Sequence, residues 1–194
     1  MENHLALLQK SVAAVHPLPA DDWAAFLAHW KKVSINRKQT ITVAGSKENY
    51  LYFILSGVQR IFYLNEEDRE ATLLFTYPPS FGGIIDALLL QQPAAYYYET
   101  VTASEVLRLS YAHLSQLMQE SAAINIFVRK ALTISISGLL ERLTDLQTGS
   151  SEEKFRKMLQ RSPHILGLVP QKYLASYLGM DATNFSKLVN AVRI

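Results

Sequence analysis

The stretch from about residue 32 to residue 112 constrains this chain more than any other part of it. Short runs rich in β-branched and aromatic residues follow one another: KKVSI, QTITVAG, NYLYFILSG, VQRIFYLN, EATLLFTYP, YYYETVTA and EVLRLSY. Turn formers separate them, at Gly45-Ser46, Ser56-Gly57, Asn65 and Pro78-Pro79-Ser80. Runs of this length and composition read as strands, and Gly57 supplies a backbone shape that other residues resist. Seven or eight strands in about 80 residues predict a compact sandwich or barrel. One segment breaks the pattern: FGGIIDALLLQQP, residues 81 to 93, sets a glycine pair ahead of a short helical stretch.

Helical periodicity flanks the strands on both sides. Leu5, Leu7, Leu8, Val12 and Val15, then Trp23, Phe26, Leu27 and Trp30, recur at near-helical spacing. Pro17 and Pro19 divide them into two helices, and Asp21 and Asp22 favour the second one's first turn. From Tyr111 onward the period is helical again. Ile124, Val128, Leu132, Ile136, Leu139, Leu143 and Leu146 drift from fourfold spacing toward a heptad, the pattern of a helix packed along a partner helix. A helix lying on its own barrel is the other reading. Phe127, Ala131 and Ile134 offer a second apolar face, so one face can cover the barrel while the other meets a second copy. Thr148-Gly149-Ser150-Ser151 ends the helix, and Ser150 or Ser151 can cap a new one that carries Glu152 and Glu153 in its first turn. The expected units are a strand-rich barrel over 1–112, a dimerisation helix over 113–148 and a C-terminal unit over 149–194.

Composition excludes whole classes of chemistry. The chain has no cysteine, so disulfides, thiolate metal sites and cysteine-ligated iron–sulfur clusters are ruled out. Its five histidines (His4, His16, His29, His113, His164) are scattered, and none lies between Lys32 and Ala112. A metal-dependent barrel enzyme needs a clustered histidine and carboxylate set on the strands. There is also no Gly-x-Ser-x-Gly elbow. The reading is that the protein is not an enzyme and holds no metal. No run of about 18 apolar residues suggests a membrane helix, and MENHLALLQK lacks the order of a secretory signal, so a cytoplasmic location is expected. The net charge of +2 is uninformative alone, yet residues 150–194 carry seven basic and three acidic side chains. A modestly basic tail suits phosphate contact.

Function is most legible in that tail, LVPQKYLASYLGMDATNFSKLVNAVRI, residues 168–194. Pro170 suits a helix start, Leu174, Ala175 and Leu178 line one face, and Gly179 permits a tight turn. Asp181 can cap a second helix whose inner face is Phe185, Leu188 and Val192, and Ala175 is small enough for the crossing. This pattern reads as a helix-turn-helix, although spacing alone allows an ordinary helical hairpin. The polar outer face favours the first reading. Thr183, Asn184 and Ser186 are candidates for probing bases or backbone, and Lys172, Lys187 and Arg193 for holding phosphates of double-stranded DNA.

Taken together, the strand–Ser56-Gly57–strand unit, the PPSFGG turn, the long apolar helix and PQKYLASYLGM resemble the Crp/Fnr family of transcription regulators over essentially the whole chain. The resemblance implies an α+β chain: a double-stranded β-helix jelly roll of the cyclic nucleotide-binding type with flanking helices, a long dimerisation helix and a winged-helix-like helix-turn-helix. It also implies a homodimer, DNA as partner, an effector in the barrel and RNA polymerase as a further contact. The effector segment would comprise Gly82, Gly83, Ile84, Asp86, Ala94, Ala95 and Tyr96, with Ser135 of the long helix facing it. Here the chain departs from the family. Cyclic-nucleotide-binding members carry Glu for the ribose hydroxyl and Arg for the cyclic phosphate, where this sequence has Ile84 and Ala94-Ala95. A buried phosphate without a cation is costly, so the residues argue against a standard cAMP site and against a cyclic nucleotide as cofactor. Ile84, Leu88, Tyr96 and Tyr98 either line a pocket for another small molecule or are plain barrel core. The tail departs too: Ala182 and Thr183 stand where a charged pair is common, and Lys187 where Arg is common, which removes bidentate reading of guanine. An interaction or small-ligand-binding protein that does not bind DNA is therefore the second reading.

Overall fold

The structure is a computed structural model that describes residues 2–191, with side chains from residue 4. Two antiparallel sheets face each other. The first runs β1 (Lys31–Ile35), β8 (Ser104–Ser110), β3 (Tyr50–Ser56), β6 (Phe81–Gly82), and the second β2 (Thr40–Thr42), β7 (Tyr97–Thr100), β4 (Gln59–Leu64), β5 (Glu70–Thr76). This is the expected jelly roll within an α+β chain. Between the sheets lie Ile35, Tyr52, Ile54, Ile61, Ile84, Ala94, Tyr98 and Val106. Side chains alternate along each strand. On β8, Val106 therefore faces this interior while Leu107 and Leu109 face outward into a second core.

That second core is built by helices on the first sheet's outer face. α1 (Glu2–Val15) and α2 (Ala20–Ala28), parted by the two prolines as expected, bring Leu8, Val12 and Phe26 against Phe53, Leu107 and Leu109. Phe127 closes the cluster, with its ring centroid 5.9 Å from Phe26 and 5.8 Å from Phe81. The glycine pair leads into α3 (Ile85–Leu90).

The helical run expected over 113–148 is two helices, α4 (Tyr111–Glu120) and α5 (Ala122–Thr148). The break falls at Ser121, whose extended backbone lets its hydroxyl accept the Ile124 amide at 3.1 Å and cap α5. Apolar periodicity runs straight through such a cap, which is why the pattern hid it. α5 also corrects the hydropathy reading. An 18-residue window of it reaches a mean hydropathy of 1.4, enough by length and composition to cross a membrane. Its opening turns are buried on the barrel through Ile124, Phe127 and Val128, and Arg129, Lys130, Glu141, Arg142 and Asp145 interrupt it.

The tail is all helix among the described residues: α6 (Ser151–Arg161), α7 (Ile165–Leu168), α8 (Gln171–Tyr177) and α9 (Ala182–Ala191), with no wing strand. Ser150 caps α6 in a reciprocal box with Glu153. α7 and the two-residue β6 were not anticipated, being too short for any period to register. A third core joins tail to barrel: Val58, Phe75 and Val101 of the roll pack with Phe155, Met158, Leu174, Ala175 and Phe185.

Candidate nucleic-acid interface and barrel cassette

α8 and α9 meet across Gly179, whose φ of +64° is the left-handed conformation the turn requires. Leu174, Ala175, Leu178 and Phe185 are buried, and the Met180 amide donates to the Ala175 carbonyl at 3.0 Å, so the small residue does sit at the crossing. Phe155 of α6 meets Phe185 edge-on at 5.5 Å, making a three-helix unit. Asp181 caps α9 by accepting the Asn184 amide at 2.8 Å.

The outer face of α9 is open. Thr183, Lys187 and Asn190 are exposed, as is Lys172 at the start of α8, where its ammonium lies 4.7 Å from the Tyr173 ring centroid. Ser186 is half-buried. Asn184 is a correction to the expected outward set. Its side-chain amide turns back to donate to Ser151 Oγ at 3.1 Å, because α6 lies within reach of the first turn of α9. Arg193 and Val192 lie outside the described residues.

α8 is the helix that docks on the barrel. Its Ser176 Oγ accepts the Thr72 amide of β5 at 2.9 Å, and Tyr173 stacks on Arg60 with the guanidinium carbon 3.7 Å from the ring centroid. Arg60 is the principal residue that sequence reading missed. It is buried within β4, pairs with Glu99 at 2.6 Å and Glu70 at 2.8 Å, donates to Thr72 at 3.2 Å, and has Phe62 on its other side at 4.1 Å. Within VQRIFYLN it looks like an outward polar residue of an alternating strand. Only the arrival of α8 buries it. Arg142 of α5 adds a second tie, donating to the Tyr177 carbonyl at 2.6 Å over the Tyr177 ring. Tyr77 and Ser162 add a third.

The barrel cassette is filled by the chain's own side chains. A Cβ on Gly82 would collide with the Tyr98 hydroxyl, and that hydroxyl lies 3.1 Å from Thr76 Oγ1. The Ile84 amide points at Glu48 Oε2, 3.5 Å away. Glu48 is buried and also accepts from Thr42 Oγ1 (2.6 Å) and the Asn49 (2.9 Å) and Tyr50 (3.1 Å) amides. Burial pushes its carboxyl above the usual range, against these lowering hydrogen bonds. Burial likewise pushes the Tyr98 hydroxyl up, so it stays protonated. Ile84 and Ala94 are core residues between the sheets. Asp86 is exposed and does not return to the Glu position, Ala95 is exposed, and Tyr96 is half-buried. Ser135 is exposed and donates to its own helix at Ala131, so it faces no pocket. A cyclic phosphate does not fit here. The Ile84 amide already faces the Glu48 carboxylate, which would repel an anion, and no cation pairs with that carboxylate among the described residues.

The apolar stripe of α5 divides along the axis rather than around it, which corrects the expected seam. Ile124 and Val128 are buried and Leu132 half-buried, all against the chain's own barrel. Beyond them Ile136, Leu139, Leu140 and Leu143 are each half or more exposed, as is Ile134, while Leu146 packs beside the Gly179 turn.

Residues 32–121 match the cyclic nucleotide-binding domain family. The chain is 24% identical over 128 residues to the cAMP-activated global transcriptional regulator CRP of Haemophilus influenzae, covering 66% of this chain and 56% of that one. It is 29% identical over 101 residues to the protein of that name in Salmonella typhimurium, covering 52% and 47%. The chain thus spans about half the length of the curated relatives it matches. Among solved structures, FixK2 from Bradyrhizobium japonicum superposes with a TM-score of 0.73 at 14% identity, covering 83% of each chain.

Proposed function

We propose, from the premise that this chain carries a cyclic nucleotide-binding domain within a Crp/Fnr-type architecture, that it is a DNA-binding transcription regulator acting as a homodimer. The observation that carries the reading is the division of labour in the tail: α8 anchors to the barrel while Thr183, Lys187 and Asn190 of α9 stay exposed. An anchored first helix and a free second one suit insertion into a major groove. Lys172 and Lys187 then hold phosphates, and Thr183 reaches base edges. A dimer joined along Ile136 to Leu143 presents two such helices to successive turns of a palindromic site. The barrel is the sensing unit, and the tie between Arg60 and Tyr173 is the route by which its state reaches the tail.

Binding to mixed-sequence duplex DNA tests this. The expected result is salt-dependent binding that Lys187→Ala with Thr183→Ala weakens by about tenfold or more. Absence of binding even at low salt would leave the alternative, a barrel used for protein or small-ligand interaction, which the inward turn of Asn184 favours.

A further inference from the structure

The roll opens on one side next to the filled cassette, with Glu48 common to both. Between β1, β2, β3 and β8 is a cleft of about 260 Å³ whose walls carry groups of both charges. Arg108 enters from β8. It shares the inward parity of Val106, lies with its guanidinium carbon 4.5 Å from the Tyr50 ring centroid, and has no acidic partner among the described residues. Its Nε is buried and donates to nothing there. Across the cleft, Glu48 is buried and accepts from Thr42 and from the Asn49, Tyr50 and Ile84 amides, without a cationic partner among the described residues. A buried donor costs stability unless something answers it, and the Arg108 Nε is such a donor. Arg108 and Glu48 share the cleft without pairing, and the exposed Lys47 also lines it.

We propose that this cleft binds a small organic acid that also carries hydroxyl or ammonium donors, its carboxylate on Arg108 and its donors on Glu48. Guanidinium is the side chain best matched to a carboxylate, and its Nε supplies one arm of a bidentate pair. Thr40 and Gln39 at the rim and the Tyr52 hydroxyl, which burial keeps protonated, add neutral hydrogen-bonding groups. The volume lies just below the usual range for drug-sized ligands and suits a small occupant of about six to thirteen non-hydrogen atoms. The site is independent of the DNA-binding reading.

The test uses the full chain and named probes: L-lactate, L-glutamine and D-gluconate, with propionate as a carboxylate lacking donors and glycerol as a neutral polyol. Nitrogen-edited NMR of the arginine side chains follows the Arg108 Nε–H directly. The expected result is a saturable shift of that resonance with at least one of the three acids, at a Kd below about 10 mM, with propionate and glycerol weaker by about tenfold. Arg108→Gln abolishes the binding, and Glu48→Gln removes the preference over propionate. No saturable shift at Arg108 with any of the three acids overturns the proposal, and so does binding that survives Arg108→Gln. Should that variant fail to fold, the wild-type titration alone decides.

Discussion

Gly57 and Glu48 illustrate how single positions carry strain and charge in this molecule. Gly57 has a φ of +83°, and a Cβ there would run into the Ala103 carbonyl and the Ser104 side chain on the facing segment. Gly57→Ala therefore combines left-handed strain with a backbone clash, and should cost about 2 kcal/mol or more in urea denaturation. Glu48 makes a prediction about pH. Burial raises its folded-state carboxyl above the ordinary value of 4.5. A raised carboxyl favours folding while protonated, so this contribution is complete below the unfolded value and is lost as pH rises through the folded one. Urea midpoints measured from acid toward neutral pH should show that loss in the wild type and not in Glu48→Gln. Parallel curves would mean that the hydrogen bonds cancel desolvation, and a gain with rising pH that they outweigh it.

At the scale of elements, α5 does two jobs in succession. Its first three turns belong to the barrel core through Ile124, Phe127 and Val128, and its later turns present Ile136, Leu139, Leu140 and Leu143 outward. Leu139→Glu with Leu143→Glu should convert the proposed dimer to a monomer in analytical ultracentrifugation with the helical signal intact, because the change touches only exposed positions. Unaltered mass would place the seam elsewhere. At its far end α5 is braced by Asp145, which Lys157 holds at 2.5 Å and Arg161 at 3.1 Å, keeping the Asp145 carboxyl below the usual range. The elements were largely legible beforehand: seven of the eight strands, both N-terminal helices, the Ser150 cap and the Gly179 turn follow from composition and turn chemistry. The split at Ser121 was not, because a serine hydroxyl serves equally well inside a helix or at its end.

In the whole molecule, barrel and tail share a core and a charged latch. Arg60 ties the two sheet carboxylates, Glu70 and Glu99, to the face of Tyr173. Arg60→Leu leaves the largely buried Glu99 without its cation, which should destabilise the fold by about 3 kcal/mol. It should also raise hydrogen exchange across α8 before the barrel strands. Uniform exchange in both would show that Arg60 serves the barrel alone. Since α8 is also the first helix of the proposed DNA-binding pair, a disturbance of β4 or β5 passes to α9 through one contact layer.

The order of the longer strands and helices, the glycine turns, the helix start near Ser150 and the α8–α9 pair were written in the chain, because each depends on neighbours within a few residues. Tertiary structure alone decided three other things. Tyr98 and Glu48 close the cassette, Arg60 is buried although its strand pattern reads outward, and Asn184 turns in while Lys187 stays out. These outcomes depend on which surfaces meet across tens of residues, and hydrophobic periodicity records that a face is covered without recording by what.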